Sequence, residues 1–362
     1  MTGAMYSAIA GLKAHMNKLS VIGNNIANIN TPAYKKSQAL FSEAIYTTLS
    51  AGSNGTTQSG GVNPSQVGYG VSIGSISMDM STANFNADGD SMHCMIMGDG
   101  FFLTGQKPDL DTATNTLEET DAQNLELSRM GDFTFDSQGY LVDGRGNVIY
   151  GWVTYSGSAT AGAIDDADNP QTSGQLVPIR LPLAADGTNP SGVAAGTAIY
   201  PGVDSGASGM NVYPDSTWEL EPAAIDSIAI DKTTGKITGN LKDGGAPVVV
   251  GYIALANVAN PSGVTRIDNG YYKAGEGAGK CTAVSIGDAL NGVKVNNSTV
   301  AEDPEIASAG QTTLQDGGLE SSGTDLATEI AEMITTQRGY QANTRIITVT
   351  DSMLEELVNM KR

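Results

Sequence analysis

Apolar or small residues recur at Met5, Ile9, Leu12, Met16, Leu19, Gly23 and Ile26. The steps alternate four and three, the spacing of a coiled-coil seam. A second such stripe runs through Leu326, Ile330, Met333, Gln337, Tyr340, Thr344 and Ile347, then Leu354 and Leu357. Each stripe predicts an amphipathic helix that cannot bury its apolar face alone, so the two ends are expected to pair with each other and with copies of themselves. The sequence between them is rich in glycine and changes period to two, the alternation of half-buried strands. The pattern predicts an α+β fold, mainly β, with N- and C-terminal α-helices pairing as a coiled coil around nested β-rich domains.

The first helix should end near Asn28, where Asn28, Asn30 and Pro32 cluster as breakers. Residues 33–49 are expected to resume as a short helix, and the Gly-, Ser- and Asn-rich residues 50–70 to form a flexible loop. Val71, Ile73 and Ile76 open a strand region. Met95–Leu103 suggests a hairpin about Gly98-Asp99-Gly100, and Phe133, Phe135, Tyr140, Val142, Val148 and Tyr150 flank turns at 136–139 and 143–146. Further strands are expected at Ile225–Ile230, Ile237–Leu241 and Val248–Val258; residues 277–318 are weakly patterned. The expected domains are 1–28 with 324–362 (helical), 29–80 (connecting), 81–155 with 224–323 (β-rich middle) and 156–223 (a small inserted outer β domain).

Composition narrows the class. Charged residues are 16% of the 362, glycine numbers 45, and 40% are apolar, so the chain is neither disordered nor typical of a cytosolic enzyme. The formal net charge of −20 argues against nucleic acid and anionic lipid as partners. Residues 1–46 carry Lys13, Lys18, Lys35 and Lys36 against Glu43, so the acidic excess belongs to the middle. No apolar run reaches the roughly 18 residues of a membrane span. No cleavable secretion signal is expected either, since Ser7, Lys13, His15 and Asn17 interrupt the first helix.

Candidate chemistry is sparse. Cys94 and Cys281 have no metal-binding spacing; they could bridge, but two buried free thiols is the favoured reading. His15 falls on the first helix, and His93 and Cys94, adjacent in a strand, point to opposite faces. Asn84–Gly89 resembles the start of a calcium loop, but position one is Asn and position twelve is Met95, so a plain polar turn is favoured. Gly68–Gly74 misses the dinucleotide fingerprint by one residue and lacks its strand–turn–helix setting. No catalytic group, cofactor or metal is expected. Gly339 is the unusual residue: a mid-helix glycine costs about 1 kcal/mol against alanine, and dense packing in an assembly would explain it.

Met5–Leu12 and Val21–Thr31, the latter with Asn24, Asn25, Asn28 and Asn30, resemble the N-terminal signature of bacterial flagellar rod and hook proteins. The C-terminal segment, from Gly318–Ser322 through Gln337–Asn343 to Leu354–Arg362, resembles the hook branch of that family. Gly98–Phe102, Ser128–Thr134 and Ile253–Pro261 are similar to its β-domain motifs. The resemblance implies a non-catalytic subunit that polymerises into a curved, flexible tube joining motor to filament and enclosing an export channel, with the distal rod subunit as alternative. It implies as partners the chain itself, the distal rod protein, the hook cap protein, the hook–filament junction protein and the flagellar type III export apparatus, with location in the flagellum after uncleaved export. The stripe residues named above other than Gly23 and Thr344, with the four asparagines and Asn343, become the expected assembly interface. Ala33 stands where relatives often have glycine, so a different local turn is expected there.

Overall fold

The computed structural model describes residues 2–55, 60–107, 116–118, 121–155, 171–172, 176–184, 198–199, 202–203, 209–211, 222, 224–242, 248–287, 290–292 and 305–360. The chain divides into two compact units, Met1–Asp79 with Ser322–Arg362, and Met80–Ser321.

The first unit contains both helices, α1 (Thr2–Ala27) and α2 (Leu326–Met360). Asp325 caps α2: its carboxylate accepts from the Ala327 N–H and the Thr328 hydroxyl, which hold its pKa below the ordinary carboxylate value. At the other end of α1, the Asn28 side chain donates back to the Asn24 carbonyl at 2.9 Å and so closes the last turn.

Residues 33–49 are not helical. They form β1 (Ser37–Glu43) and β2 (Tyr46–Ser50), because the β-branched and aromatic Phe41, Ile45, Tyr46, Thr47 and Thr48 favour extended backbone. The expected loop 50–70 is partly ordered as the return strand. β3 (Ser65–Gly68) pairs antiparallel with β2, and β4 (Val71–Met78) pairs with β1. A bridge between Ser53 and Val62 continues this ribbon; residues 56–59 lie outside the described residues. Ala33 adopts φ +56°, the left-handed conformation glycine would take without strain. Alanine holds this conformation at a cost of roughly 1–2 kcal/mol.

The second unit is antiparallel in almost all its pairings and is organised on Val248–Val258, buried along nearly its whole length. Its first half lies between Lys236–Leu241 and Val148–Tyr155, with Tyr252 opposite both Lys236 and Trp152. Its second half lies between Cys281–Ser285 and Phe101–Gly105, with Leu255 opposite Val284 and Phe102. Apolar side chains on both faces make this run a core strand. Ile149, Ile179, Ile237, Ile253, Leu255 and Phe102 pack together, and Phe102 meets Phe133 edge-on at 4.9 Å. Within 156–223, Val177-Pro178 pairs with Val148–Tyr155 and Ile179 joins this core; most of the remainder lies outside the described residues.

Three local expectations are corrected here. Gly98–Gly100 does not close a hairpin: Cys94–Met97 pairs with Thr313–Asp316, whereas Phe101–Gly105 pairs with Glu126–Ser128 and the core strand. Gly98 and Gly100, at φ near +120°, redirect the chain between sheets, and the Thr312 hydroxyl donates to the Asp99 carbonyl at 3.1 Å. Asn84–Gly89 is not merely a polar turn, since Phe85–Ala87 pairs with Gly318–Glu320. The weakly patterned 277–318 region supplies Cys281–Ser285 and Thr313–Asp316, each secured by cross-strand neighbours that a linear pattern does not show.

Cys94 and Cys281 are buried free thiols. Burial first, and then the Asp316 carboxylate, pushes the Cys94 thiol far up; burial and Asp121 push Cys281 up to about 11. Because the thiolate is the reactive form, both should resist iodoacetamide at pH 8 in the native chain and react readily in guanidinium. Native alkylation of either at the denatured rate would contradict this burial.

Candidate assembly interface

α1 and α2 lie antiparallel. Gly11 faces Asn343, His15 faces Gly339, the Lys18 ammonium pairs with Glu332 at 3.1 Å, and Asn25 Nδ2 donates to Glu329 Oε2 at 3.2 Å. Residue numbers rise along one helix as they fall along the other. Apart from Ile22 the buried side chains at the contact are small or polar: Ala8, Gly11, Ala14 and Ile22 are buried on α1, and Glu329, Thr336 and Thr350 on α2. The two threonine hydroxyls donate to the Glu332 and Ile346 carbonyls, so neither is left without a partner.

The helices approach closely because two glycines permit it. A Cβ on Gly339 would lie 2.7 Å from the His15 ring, and one on Gly11 would lie 2.6 Å from the Asn343 amide. The glycine expected to serve contacts in an assembly is therefore already explained by the partner helix of the same chain.

This seam is displaced by one residue from the apolar stripes read in the sequence. On α1, Met5 and Met16 are exposed, while Ile9, Leu12, Leu19 and Ile26 are half-buried. On α2, Leu326, Ile330, Gln337, Tyr340, Leu354 and Leu357 are exposed; Met333, Asn343 and Ile347 are half-buried. Neighbouring apolar residues are exposed as well, notably Tyr6 at 67%, Ile334 at 52% and Val349 at 55%. Thr350 is the last buried residue of α2, and residues 351–360 are exposed throughout.

The asparagine cluster divides similarly. Asn24 and Asn30 are exposed, Asn28 is half-buried, and Asn25 is 1% exposed with its amide fully engaged. Its Nδ2 donates to the Ser37 carbonyl at 2.8 Å and to Glu329; its Oδ1 accepts from the Ser37 N–H at 3.0 Å and the Tyr34 hydroxyl at 3.2 Å. One side chain thus joins α1, α2 and the start of the ribbon. The sequence marked Asn25 as one of a group; its singular role needed the positions of Ser37 and Glu329.

The seam is polar beyond this point. A cavity of about 30 Å³ beside Asn25 is lined by Lys18, Ile22, Lys36, Ala39, Glu329 and Glu332, and has room for a water. Among the described residues no cluster of side chains is arranged to hold a metal ion, and no helix is long and apolar enough to cross a membrane.

Two helices that pair through their smaller faces and keep many larger apolar residues outward have the arrangement expected of a subunit that packs against further helices. Comparison with known proteins agrees. The family model "Flagella basal body rod protein" matches residues 5–35, and "Flagellar basal body rod FlgEFG protein C-terminal" matches 315–360. Over the full length of both chains, the protein is 28% identical to flagellar basal-body rod protein FlgG of Bacillus subtilis and 27% identical to flagellar hook protein FlgE of Borreliella burgdorferi. It is 33% identical to flagellar hook protein FlgE of Helicobacter pylori over half of its own length and 24% of that protein's. Its two ends thus match models of flagellar rod proteins, and along its whole length the chain is similar to both rod and hook proteins.

Replacing Asn25 by Leu leaves Glu329 and the Ser37 backbone without their partners inside the seam. The expected loss is about 3 kcal/mol of stability in the helical unit, read as an earlier urea transition of the helical signal. Gly339→Ala should also destabilise, despite alanine's higher helix propensity, by about 1–3 kcal/mol from overpacking. Adding His15→Ala should restore much of that loss, whereas additive penalties in this double-mutant cycle would show that His15 does not fill the Gly339 niche.

Proposed function

We propose that this chain is the structural subunit of a flagellar hook, a curved, flexible tube that carries torque from motor to filament and encloses the export channel. The observation that carries the reading is the double-sided helix pair: α1 and α2 spend their small residues on each other and leave Met5, Met16, Leu326, Ile330, Tyr340, Leu354 and Leu357 exposed. In the polymer these residues, with Ile9, Leu12, Leu19, Ile26, Met333, Gln337, Asn343, Ile347 and the exposed asparagines, supply the contacts between copies. Burial of such side chains contributes roughly 1.5–3 kcal/mol each.

The proposed partners are further copies of the chain, then the distal rod protein, the hook cap protein, the hook–filament junction protein and the type III export apparatus. Export through that apparatus would put the subunit outside the cell. The subunit acts by packing and sliding rather than by catalysis. A second reading, the distal rod subunit, is favoured by the end-to-end alignment with the Bacillus subtilis rod protein over 362 positions.

Deleting residues 340–362 should abolish polymerisation while the β-rich unit keeps its cooperative unfolding transition. Polymerisation of the truncated chain at the wild-type critical concentration would defeat the interface assignment. Tubes of the full chain viewed by electron microscopy should be curved; straight, stiff tubes would transfer the assignment to the rod.

A further inference from the structure

His15 is the one imidazole in the helix seam, and its surroundings suit only the neutral ring. It fills the niche left by Gly339, whose Cβ position would lie 2.7 Å from Cε1 and 2.8 Å from Nε2. On its other side it meets Phe41 of β1 edge-on, with ring centroids 5.3 Å apart. Its Nδ1 is buried and has no hydrogen-bond partner.

We propose that His15 is an acid-sensitive latch: as a neutral ring it closes α1 onto α2, and as an imidazolium it opens the pair.

Of the charged groups on the elements packed around it, the one that acts on the ring is the cationic Lys18. On α1, Lys18 lies one turn further on. On α2, Arg338 precedes Gly339, and Glu332 is already engaged by the Lys18 ammonium at 3.1 Å. On β1, Glu43 lies two residues beyond Phe41, and no carboxylate among the described residues bonds the ring. The Phe41 π-face does not offset this, because Lys18 already occupies it at 5.7 Å from the centroid. A proton on Nδ1 would add a buried donor without an acceptor and a second positive charge beside Lys18.

Burial first, and the nearby Lys18 second, lower the His15 pKa below its ordinary 6.5. The unfolded chain therefore takes up the proton first as the pH falls through about 6.5. Stability of the helix pair is full above that value and declines with acid. Moderate acidity thus becomes a signal that loosens the helical unit while leaving its sequence and its covalent structure untouched. The inference rests on the helix pair alone and holds whether the polymer is hook or rod.

The test is far-UV circular dichroism of the full chain from pH 8 to 5. The wild type and His93→Gln should lose helical signal on acidification, and His15→Gln should hold its signal constant over that range. His93 is the control because it lies in the other unit, bonded to Asp88. A wild-type signal that does not change, or a His15→Gln chain that loses helix at the same pH, overturns the latch. Should His15→Gln be unpaired already at pH 8, the wild-type chain decides by NMR of its two histidine Cε1 protons, with His93→Gln for assignment. A His15 midpoint below 6.5 that tracks helix loss supports the latch; a midpoint at or above 6.5 overturns it.

Discussion

The helical unit depends on a steric constraint: α1 and α2 approach so closely that alanine will not fit at Gly11 or Gly339 without displacing a neighbour. Close approach demands small side chains on the facing stripes, and small side chains bury little apolar area. At roughly 25 cal/mol per Å², a seam of Ala, Gly, Thr and Asn, with Ile22 as its one fully buried large apolar residue, is only modestly stabilised by desolvation. Its cohesion comes instead from specific polar contacts, chiefly the Asn25 network and the Lys18–Glu332 pair. The bulky residues, excluded from the seam by the same constraint, are placed where a further helix would meet them.

The constraint also explains which part of the chain was legible in advance. Both helices and the long strand Val248–Val258 follow from periodicity, because each repeats its signal over many residues. The seam did not follow. A heptad reading selects the bulkiest residues, Met5, Ile9 and Leu12, whereas close packing selected the smallest, Ala8 and Gly11, one position away. Periodicity reports that a face exists; which face a partner covers depends on the partner's shape. The ribbon was missed for a related reason. Its alternation is blurred because β2 is exposed on both faces and β3 almost so, leaving only pairing across the loop to hold them extended. Cys281–Ser285 and Thr313–Asp316 are likewise too short to show a period, and their strand partners are distant in sequence.

Charge is partitioned as sharply as packing. The helical unit contains eight basic and eight acidic residues, so the basic character of residues 1–46 is cancelled by the acids of the C-terminal segment. The β-rich unit holds 31 acidic against 11 basic residues and accounts for the whole net charge of −20. Copies can therefore bring their helical units together without net repulsion, while their acidic units resist close, dry contact. Screening over a Debye length of about 8 Å at physiological ionic strength moderates that resistance without abolishing it. This division suits a polymer with firm contacts at one layer and loose ones at another.

A helix pair held by polar contacts is specific without being strong, and a polymerising subunit benefits from that combination. A large apolar seam would satisfy each chain on its own and leave little for neighbours to contribute. Here the fold sets the register through Asn25, Lys18 and His15, while residues such as Met16, Tyr340 and Leu357 stay at the surface. In the proposed polymer, contacts between copies would supply much of the apolar stabilisation that the helix pair itself lacks. The same polarity makes the pair responsive to protonation, because a seam with little hydrophobic reserve cannot absorb an unpaired buried charge. Specificity, readiness to assemble and sensitivity to acid follow from one choice, small and polar residues where two helices meet.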